Sequence, residues 1–321
     1  MTAFPELTSA SSQPQPQGEI VHDRRITVDG VETQYLEAGA GPLLLLLHGH
    51  EQGATSWRWV IPALARTRRV LALSLPGHGE SGPAAGGHAP GADLAPFVAA
   101  FLSAIGAETP IDLVGHSAGG AIALRFALAD PARIRTLTLV DSAGLGREVH
   151  PLLAVDTLPG IGELAVMISR MPGGDLARTT MSAAMLFAQP WRIPAEFITE
   201  QHALARRPGQ LEASTAMARA MFGPYGQRQI LTGRLPALTM PTLVVWGDRD
   251  YLLPVQQAHA AVKSLPHGQL SVFPDCGHLP HVEQPDRFAT ELGTWLAIPR
   301  DHPRGNPFTP SPSPAPSKDR R

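Results

Sequence analysis

Between residues 111 and 129 the chain passes from the apolar run Ile111 to Val114 through Gly115-His116-Ser117-Ala118-Gly119 into the helix-forming run Ala121 to Ala129. A short continuous apolar run bounded by turn residues suits a strand buried on both faces. Small residues around one serine let the chain reverse sharply without clashes. Ser117 can then sit in a strained backbone conformation at the strand's end with its hydroxyl exposed. A strand of this kind needs further strands beside it and helices above and below it.

The rest of the chain supplies them. Strand candidates are Arg25 to Val28, Glu32 to Glu37, Leu43 to Leu47, Val70 to Ser74, Ile111 to Val114, Thr136 to Asp141, Thr242 to Trp246 and Gln269 to Phe273. Helix candidates follow Thr55, Ala92, Ala118, Pro254 and Pro285, the last two with proline where a first helical turn tolerates it. This alternation predicts an α/β fold built on a mostly parallel eight-stranded sheet with helices on both faces. Between Gly144 and about Pro236 the β-type runs give way to helical segments broken by Pro and Gly. The expected organisation is therefore a core of residues 20–143 and 236–298, with a helical cap inserted at 144–235. Residues 1–19, rich in Ser, Gln and Pro, and the Pro-repeating residues 299–321 have compositions that bury too little surface to fold, and are expected to be disordered tails.

Six of the eight methionines lie in the insertion as pairs four residues apart: Met167 and Met171, Met181 and Met185, Met217 and Met221. Such spacing puts each pair on one helix face. The expected role is packing the insertion onto the sheet, with lining of an adaptable apolar pocket as the alternative.

Composition narrows the function. A formal charge of −2 with scattered basic residues gives no footprint for nucleic acid or an anionic membrane. No stretch approaches the ~18 uninterrupted apolar residues of a membrane span, and the N-terminus lacks a secretory leader pattern. The lone cysteine, Cys276, cannot form an intramolecular disulfide, which fits a reducing cytoplasm. Gly79 and Gly82 lack the lysine of a phosphate-cradling loop and the spacing of a dinucleotide fingerprint, and no metal-ligand cluster is visible. The expectations are no cofactor, no metal and a small-molecule partner. Nothing in the sequence sets an oligomeric state.

In its strand–turn–helix setting, the Gly-x-Ser-x-Gly segment resembles the nucleophile elbow of the α/β-hydrolase superfamily. The likeness runs from about Val21 to Leu296 and rests on ordered features. His48-Gly49-His50 follows Leu43 to Leu47 as the family's oxyanion loop does. Leu75-Pro76-Gly77-His78-Gly79-Glu80-Ser81 resembles its next turn, with Ser74 where an acid is usual. Trp246-Gly247-Asp248-Arg249-Asp250 and Asp275-Cys276-Gly277-His278 resemble its acid and histidine segments. The resemblance implies Ser117 as nucleophile, His278 as general base and Asp250 as the acid that orients the histidine, with the backbone N–H groups of His50 and Ala118 as oxyanion hole. A serine hydroxyl is a poor nucleophile at neutral pH, so it needs an imidazole to take its proton and a carboxylate to fix the tautomer. His281 is the second candidate base, otherwise at the site's rim or in solvent. Asp248 and Asp141 are the other candidate acids; Asp248 is more naturally a loop cap or an arginine's partner. His48 reads as a loop tie and Cys276 as a small packed residue. Glu51, Trp57 and Trp59 either pack locally or shape the pocket.

A serine at the elbow excludes relatives that need a carboxylate nucleophile, and points to an acyl-enzyme. Asp141 to Gly146 and Gly53 to Trp57 resemble the carbon–carbon bond hydrolases of ring-fission products. Those enzymes usually carry Asn before the nucleophile and Trp after the base, where this chain has His116 and Leu279. The expected activity is a carboxylesterase acting on a small or medium apolar acyl substrate. The alternatives are the carbon–carbon hydrolase, a cofactor-free haloperoxidase or perhydrolase, and a non-catalytic ligand receptor on the same fold.

Overall fold

The computed structural model describes residues 20–84, 93–107 and 110–298, so both expected tails lie outside the described residues. Eight strands form one sheet: β1 (His22–Val28), β2 (Val31–Ala38), β3 (Leu43–Leu47), β4 (Arg69–Leu73), β5 (Ile111–His116), β6 (Ile134–Val140), β7 (Thr242–Gly247) and β8 (Gly268–Phe273). Their order is β1-β2-β4-β3-β5-β6-β7-β8. Only β1–β2 and β2–β4 pair antiparallel; from β4 onward every neighbour is parallel. Each strand candidate is present, with no end shifted by more than three residues and Leu43–Leu47 matching at both ends.

The central strands are apolar on both faces, and the twofold alternation of side chains divides them between two cores. Leu45, Leu47, Leu71, Leu73 and Leu113 face one layer, against Phe101 of α2 (Ala95–Ala104) and Ile122 of α3 (Ala118–Ala129). Leu44, Leu46, Val70, Ala72 and Val114 face the other, against Trp57, Phe288 and Trp295. The helix candidates after Ala92, Ala118, Pro254 and Pro285 are all helices. The one after Thr55 is instead a 3-10 turn, Ala54–Trp57, followed by a short α1 (Ile61–Leu64). Pro62 at the start of α1 and its four-residue length explain why no long periodicity marks it.

Between β6 and β7 the chain forms α4 (Pro151–Asp156), α5 (Ile161–Ser169), α6 (Gly174–Leu186), α7 (Ala195–Ala205) and α8 (Gln210–Met221). A β element follows the last of these helices, a two-residue pairing of Phe222–Gly223 with Gly226–Gln227. Gly226, with φ 102°, closes this turn, and its length is too short for a periodic signal. The chain then returns through β7, α9 (Gln256–Ser264), β8, α10 (Pro280–Glu283) and α11 (Pro285–Ala297).

The methionine pairs divide three ways. Met217 and Met221 of α8 are buried against the sheet layer, as expected of packing residues. Met181 and Met185 line a cavity, and Met167 and Met171 are exposed. The packing expectation therefore fails for the first pair: Met167 lies on the outer side of α5 and Met171 past its end.

Beneath the C-terminal ends of the strands lies a layer of buried histidines. His281 sits here rather than at the rim: its ring stacks 4.3 Å from Trp57 and 4.8 Å from His116, and neither ring nitrogen has a hydrogen-bond partner. Burial, then the neighbouring His278, pushes His281 down to about 3. Burial likewise takes His48 to about 3 and His78 to about 4, and holds His116 well below its ordinary value. An unfolded chain protonates these rings near pH 6.5, whereas the folded chain keeps them neutral. Their stabilisation is thus complete above about pH 6.5 and is lost as pH falls, at ~1.4 kcal/mol per unit for each ring. His281→Phe keeps the stack on Trp57 and removes one such group. The fall of melting temperature from pH 6.5 to 4.5 becomes shallower by about one proton's worth; an unchanged slope contradicts a neutral buried His281.

Candidate active site

Ser117 occupies the turn from β5 to α3 with φ 50° and ψ −116°, a conformation that side-chain-bearing residues rarely adopt. Its N–H donates to Val140 O on β6 at 2.9 Å, and its carbonyl accepts from Ala143 N at 3.0 Å. The flanking glycines are required by close approach. A Cβ on Gly115 would lie 2.4 Å from Gly119 O, and one on Gly119 would lie 2.4 Å from His48 O. Strand β5, fixed between β3 and β6, holds this turn from below.

Asp250 and His278 arrive on the loops after β7 and β8. Asp250 Oδ1 accepts the backbone N–H groups of Leu252 at 2.8 Å and Leu253 at 3.1 Å, and Oδ2 accepts His278 Nδ1–H at 2.7 Å. That bond fixes the tautomer and leaves Nε2 as the basic nitrogen. Backbone contacts hold His278 from both sides: its N–H donates to Leu186 O of α6 at 2.7 Å, and its carbonyl accepts from His116 Nε2 at 2.8 Å. The His116 and His278 rings lie 4.9 Å apart. Ser117 and His278 line the same cavity, of about 210 Å³, together with His50.

The other acid candidates separate cleanly. Asp248 is exposed, and its Oδ1 accepts the N–H of Cys276 at 3.3 Å, the contact of a loop cap. Asp141, with φ 42°, is fully buried beside Asp250. Its Oδ1 accepts Gly247 N–H at 3.0 Å, while Oδ2 finds no donor. Burial first, and the Asp250 charge second, raise Asp141 well above the usual carboxylate range. Two facing carboxylates in a buried site do not both ionise. Asp250 receives three N–H donors, whereas the raised Asp141 is the one held toward its protonated form. Asp141, Asp250 and His278 place ligand-type atoms within 4.8 Å of one another, close enough to surround an ion. The direct imidazole–carboxylate bond already accounts for that closeness.

The loop after β3 carries His50 at the cavity. His48 ties it down, donating from Nδ1 to Gly49 O at 2.8 Å and accepting Leu75 N–H on Nε2 at 3.0 Å. His50 Nε2 donates to Ser214 O of α8 at 2.9 Å. Among the described residues, no hydrogen bond occupies the backbone N–H of His50 or of Ala118. Glu51, with φ 60°, lines the cavity and pairs with Arg178 of α6. Burial pushes Glu51 up, but His50 and Arg178 outweigh it and hold Glu51 below its ordinary value. Trp57 is buried, and Trp59 packs beneath the Arg58 guanidinium, 4.9 Å from the ring centre. Cys276 is buried with its thiol pushed up by burial, so it stays a thiol.

Two contributors had no sequence signal. Arg178 lies in a helix whose spacing does not set it apart from other arginines. Glu283 spans two segments, its Oε1 accepting Gly277 N–H at 2.8 Å and its Oε2 accepting Ala188 N–H at 3.0 Å, and burial raises it to about 6. It fixes the His278 loop to the end of α6, a contact made only in three dimensions.

Comparison with known proteins supports the fold and the family. Residues 44–291 match the alpha/beta hydrolase family. The chain is 31% identical over 291 residues to 2-hydroxymuconate semialdehyde hydrolase of a Pseudomonas species, covering 88% of this chain and 96% of that protein. It is also 31% identical over 270 residues to the dihydrolipoyllysine-residue acetyltransferase component of the acetoin cleaving system of Cupriavidus necator, covering 84% of this chain and 67% of that one. Among solved structures, an esterase from Thermogutta terrifontis superposes with a TM-score of 0.70 at 27% identity, covering 86% of this chain and 98% of that chain. The elbow, the sheet order and the family match lead to one conclusion: this chain belongs to the alpha/beta hydrolase family.

Proposed function

We propose that the protein is a serine hydrolase that cleaves small or medium apolar carboxylic esters through an acyl-enzyme. The 2.7 Å bond from His278 Nδ1 to Asp250, in a cavity that Ser117 also lines, carries the reading. His278 Nε2 takes the Ser117 proton as Oγ attacks the ester carbonyl, and the backbone N–H groups of His50 and Ala118 receive the charge developing on the carbonyl oxygen. One such fixed donor is worth ~3 kcal/mol of barrier. Collapse expels the alcohol with the proton from His278. Water, deprotonated by the same nitrogen, then releases the acid and restores Ser117. Asp250 orients and stabilises the imidazolium through its bond to Nδ1, while Asp141 beside it, held well above the usual carboxylate range by burial, adds no second charge.

The cavity lining favours an uncharged substrate. Apart from its polar head it is mostly aliphatic and aromatic, with Leu152, Met185, Phe197 and Phe222 among its walls. Its charged groups are Glu51, Arg178 and Asp156, one cation against two acids, and the cation is already paired. A free carboxylate entering here finds no unneutralised positive charge. Carbon–carbon bond hydrolysis of a ring-fission product is the second reading, supported by likeness to 2-hydroxymuconate semialdehyde hydrolase over nearly its full length. His116 and Leu279 at the positions beside nucleophile and base, with the Glu51–Arg178 pair, weigh against it.

A fluorophosphonate probe is expected to label the protein stoichiometrically and to leave Ser117→Ala unlabelled; a folded wild-type protein that resists the probe favours a binding protein. Across nitrophenyl esters of rising acyl length and one dienone ring-fission acid, kcat/KM is expected to be highest on an ester. A preference for the dienone makes the second reading the correct one. Asp250→Asn should lower kcat by ~10³ to 10⁴, whereas Asp141→Asn, still neutral and still a donor, should cost less than about tenfold. Equal losses would show that Asp141 shares the charge.

A further inference from the structure

Fifteen large apolar side chains are exposed among the described residues, and nine of them fall between Leu152 and Met181. Helix α5 is packed by a narrow stripe, Gly162, Val166 and Ser169, and turns Leu164, Met167 and Ile168 outward. The outward residues of α6 are Leu176, Ala177, Thr180, Met181 and Ala184, none of them charged. On α5 the exposed charges are drawn sideways: Glu163 pairs with Arg219 at 2.5 Å, and Arg170, just past the helix end, pairs with Glu212. Helix α4 adds Leu152 and Val155. The result is a nearly uncharged set of exposed apolar side chains on three helices packed each against the next, more than singly scattered surface hydrophobics account for.

This face runs into the site. Leu152 is 52% exposed and Met181 60% exposed, yet both also line the cavity that holds Ser117 and His278. The mouth of the cavity therefore opens through the apolar face. Whatever covers that face lies across the route to Ser117. A second protein seated there would close the mouth. A lipid surface would cover the same side chains and present acyl groups to the opening.

We propose that the α4–α5–α6 face docks on an uncharged or zwitterionic lipid surface, and that the substrates are acyl esters drawn from it. The choice of lipid follows from charge. With no cation gathered on the face, attraction to anionic headgroups is not its source, and binding rests on burying apolar side chains in the headgroup boundary. This departs from the expectation of no membrane partner, which was read from basic stripes and spanning runs. An outward apolar face on short helices registers in neither, and no described helix is long and apolar enough to cross a membrane. The docking half stands on the surface alone; the substrate half rests on the ester-hydrolase reading.

The test uses the full-length Ser117→Ala protein with phosphatidylcholine vesicles. Co-sedimentation is expected, unchanged between 50 and 500 mM salt within about twofold, since a neutral surface offers no charges to screen. Adding Leu164→Glu and Met167→Glu should weaken it at least tenfold, and Ile168→Lys in a separate protein should do the same. In the active protein neither set of changes touches the cavity lining, so kcat/KM on a soluble short-chain ester should match wild type, which also reports folding. Activity on a long-chain ester carried in the vesicles should fall with binding. Absence of co-sedimentation, binding only to anionic vesicles, or a wild-type dimer that the Glu substitutions render monomeric each overturns the proposal. Vesicle binding without ester cleavage would keep the docking surface and remove the hydrolase reading instead.

Discussion

The left-handed backbone at Ser117 is the constraint around which the site is arranged. A residue with a side chain does not stay at φ 50° unless its surroundings leave no alternative. Here the N–H is committed to Val140 O, the carbonyl to Ala143 N, and two glycines permit backbone contact with the β3 loop and within the turn itself. Parallel pairing of β3, β5 and β6 makes those partners available at one level. The strain is thus borne by the most buried part of the sheet, and it lifts one hydroxyl above the strand ends.

Everything else at the site is brought to that level by loops leaving the same edge of the sheet, and the helical insertion grips those loops individually. Leu186 O takes the His278 N–H, Ser214 O takes the His50 ring, Arg178 pairs with Glu51, and Glu283 joins Gly277 to Ala188. The insertion therefore sets the position of these loops as well as lining the cavity. Charge is kept sparse: burial holds Asp141 well above the usual carboxylate range and keeps His48, His78, His116 and His281 neutral. An imidazole flanked by several cations would lose affinity for a proton.

Much of this was legible in the chain because its signals are local. Parallel strands buried on both faces read as apolar runs, so β3, β5 and β7 stand out, and the glycines around Ser117 mark a turn that few other chemistries require. Asp250 and His278 were reachable because each follows such a strand and resembles a known segment. The remainder depends on packing between distant segments. Nothing near His281 in sequence announces that Trp57 and His116 enclose it. Met167 and Met181 have the same four-residue pairing, yet one faces solvent and the other also lines the cavity, because the period gives a face without saying what the face meets. Glu51 and Arg178 acquire their meaning from each other across 127 positions, and Glu283 from Ala188 across 95.

The most direct test of the central claim is a crystal structure of the protein after reaction with a dialkyl nitrophenyl phosphate. The account predicts a phosphoryl group bonded to Ser117 Oγ, its free oxygen within about 3 Å of the backbone nitrogens of His50 and Ala118, and His278 still bonded to Asp250. A phosphoryl group on another residue, or one on Ser117 with its oxygen turned away from those two nitrogens, would contradict it.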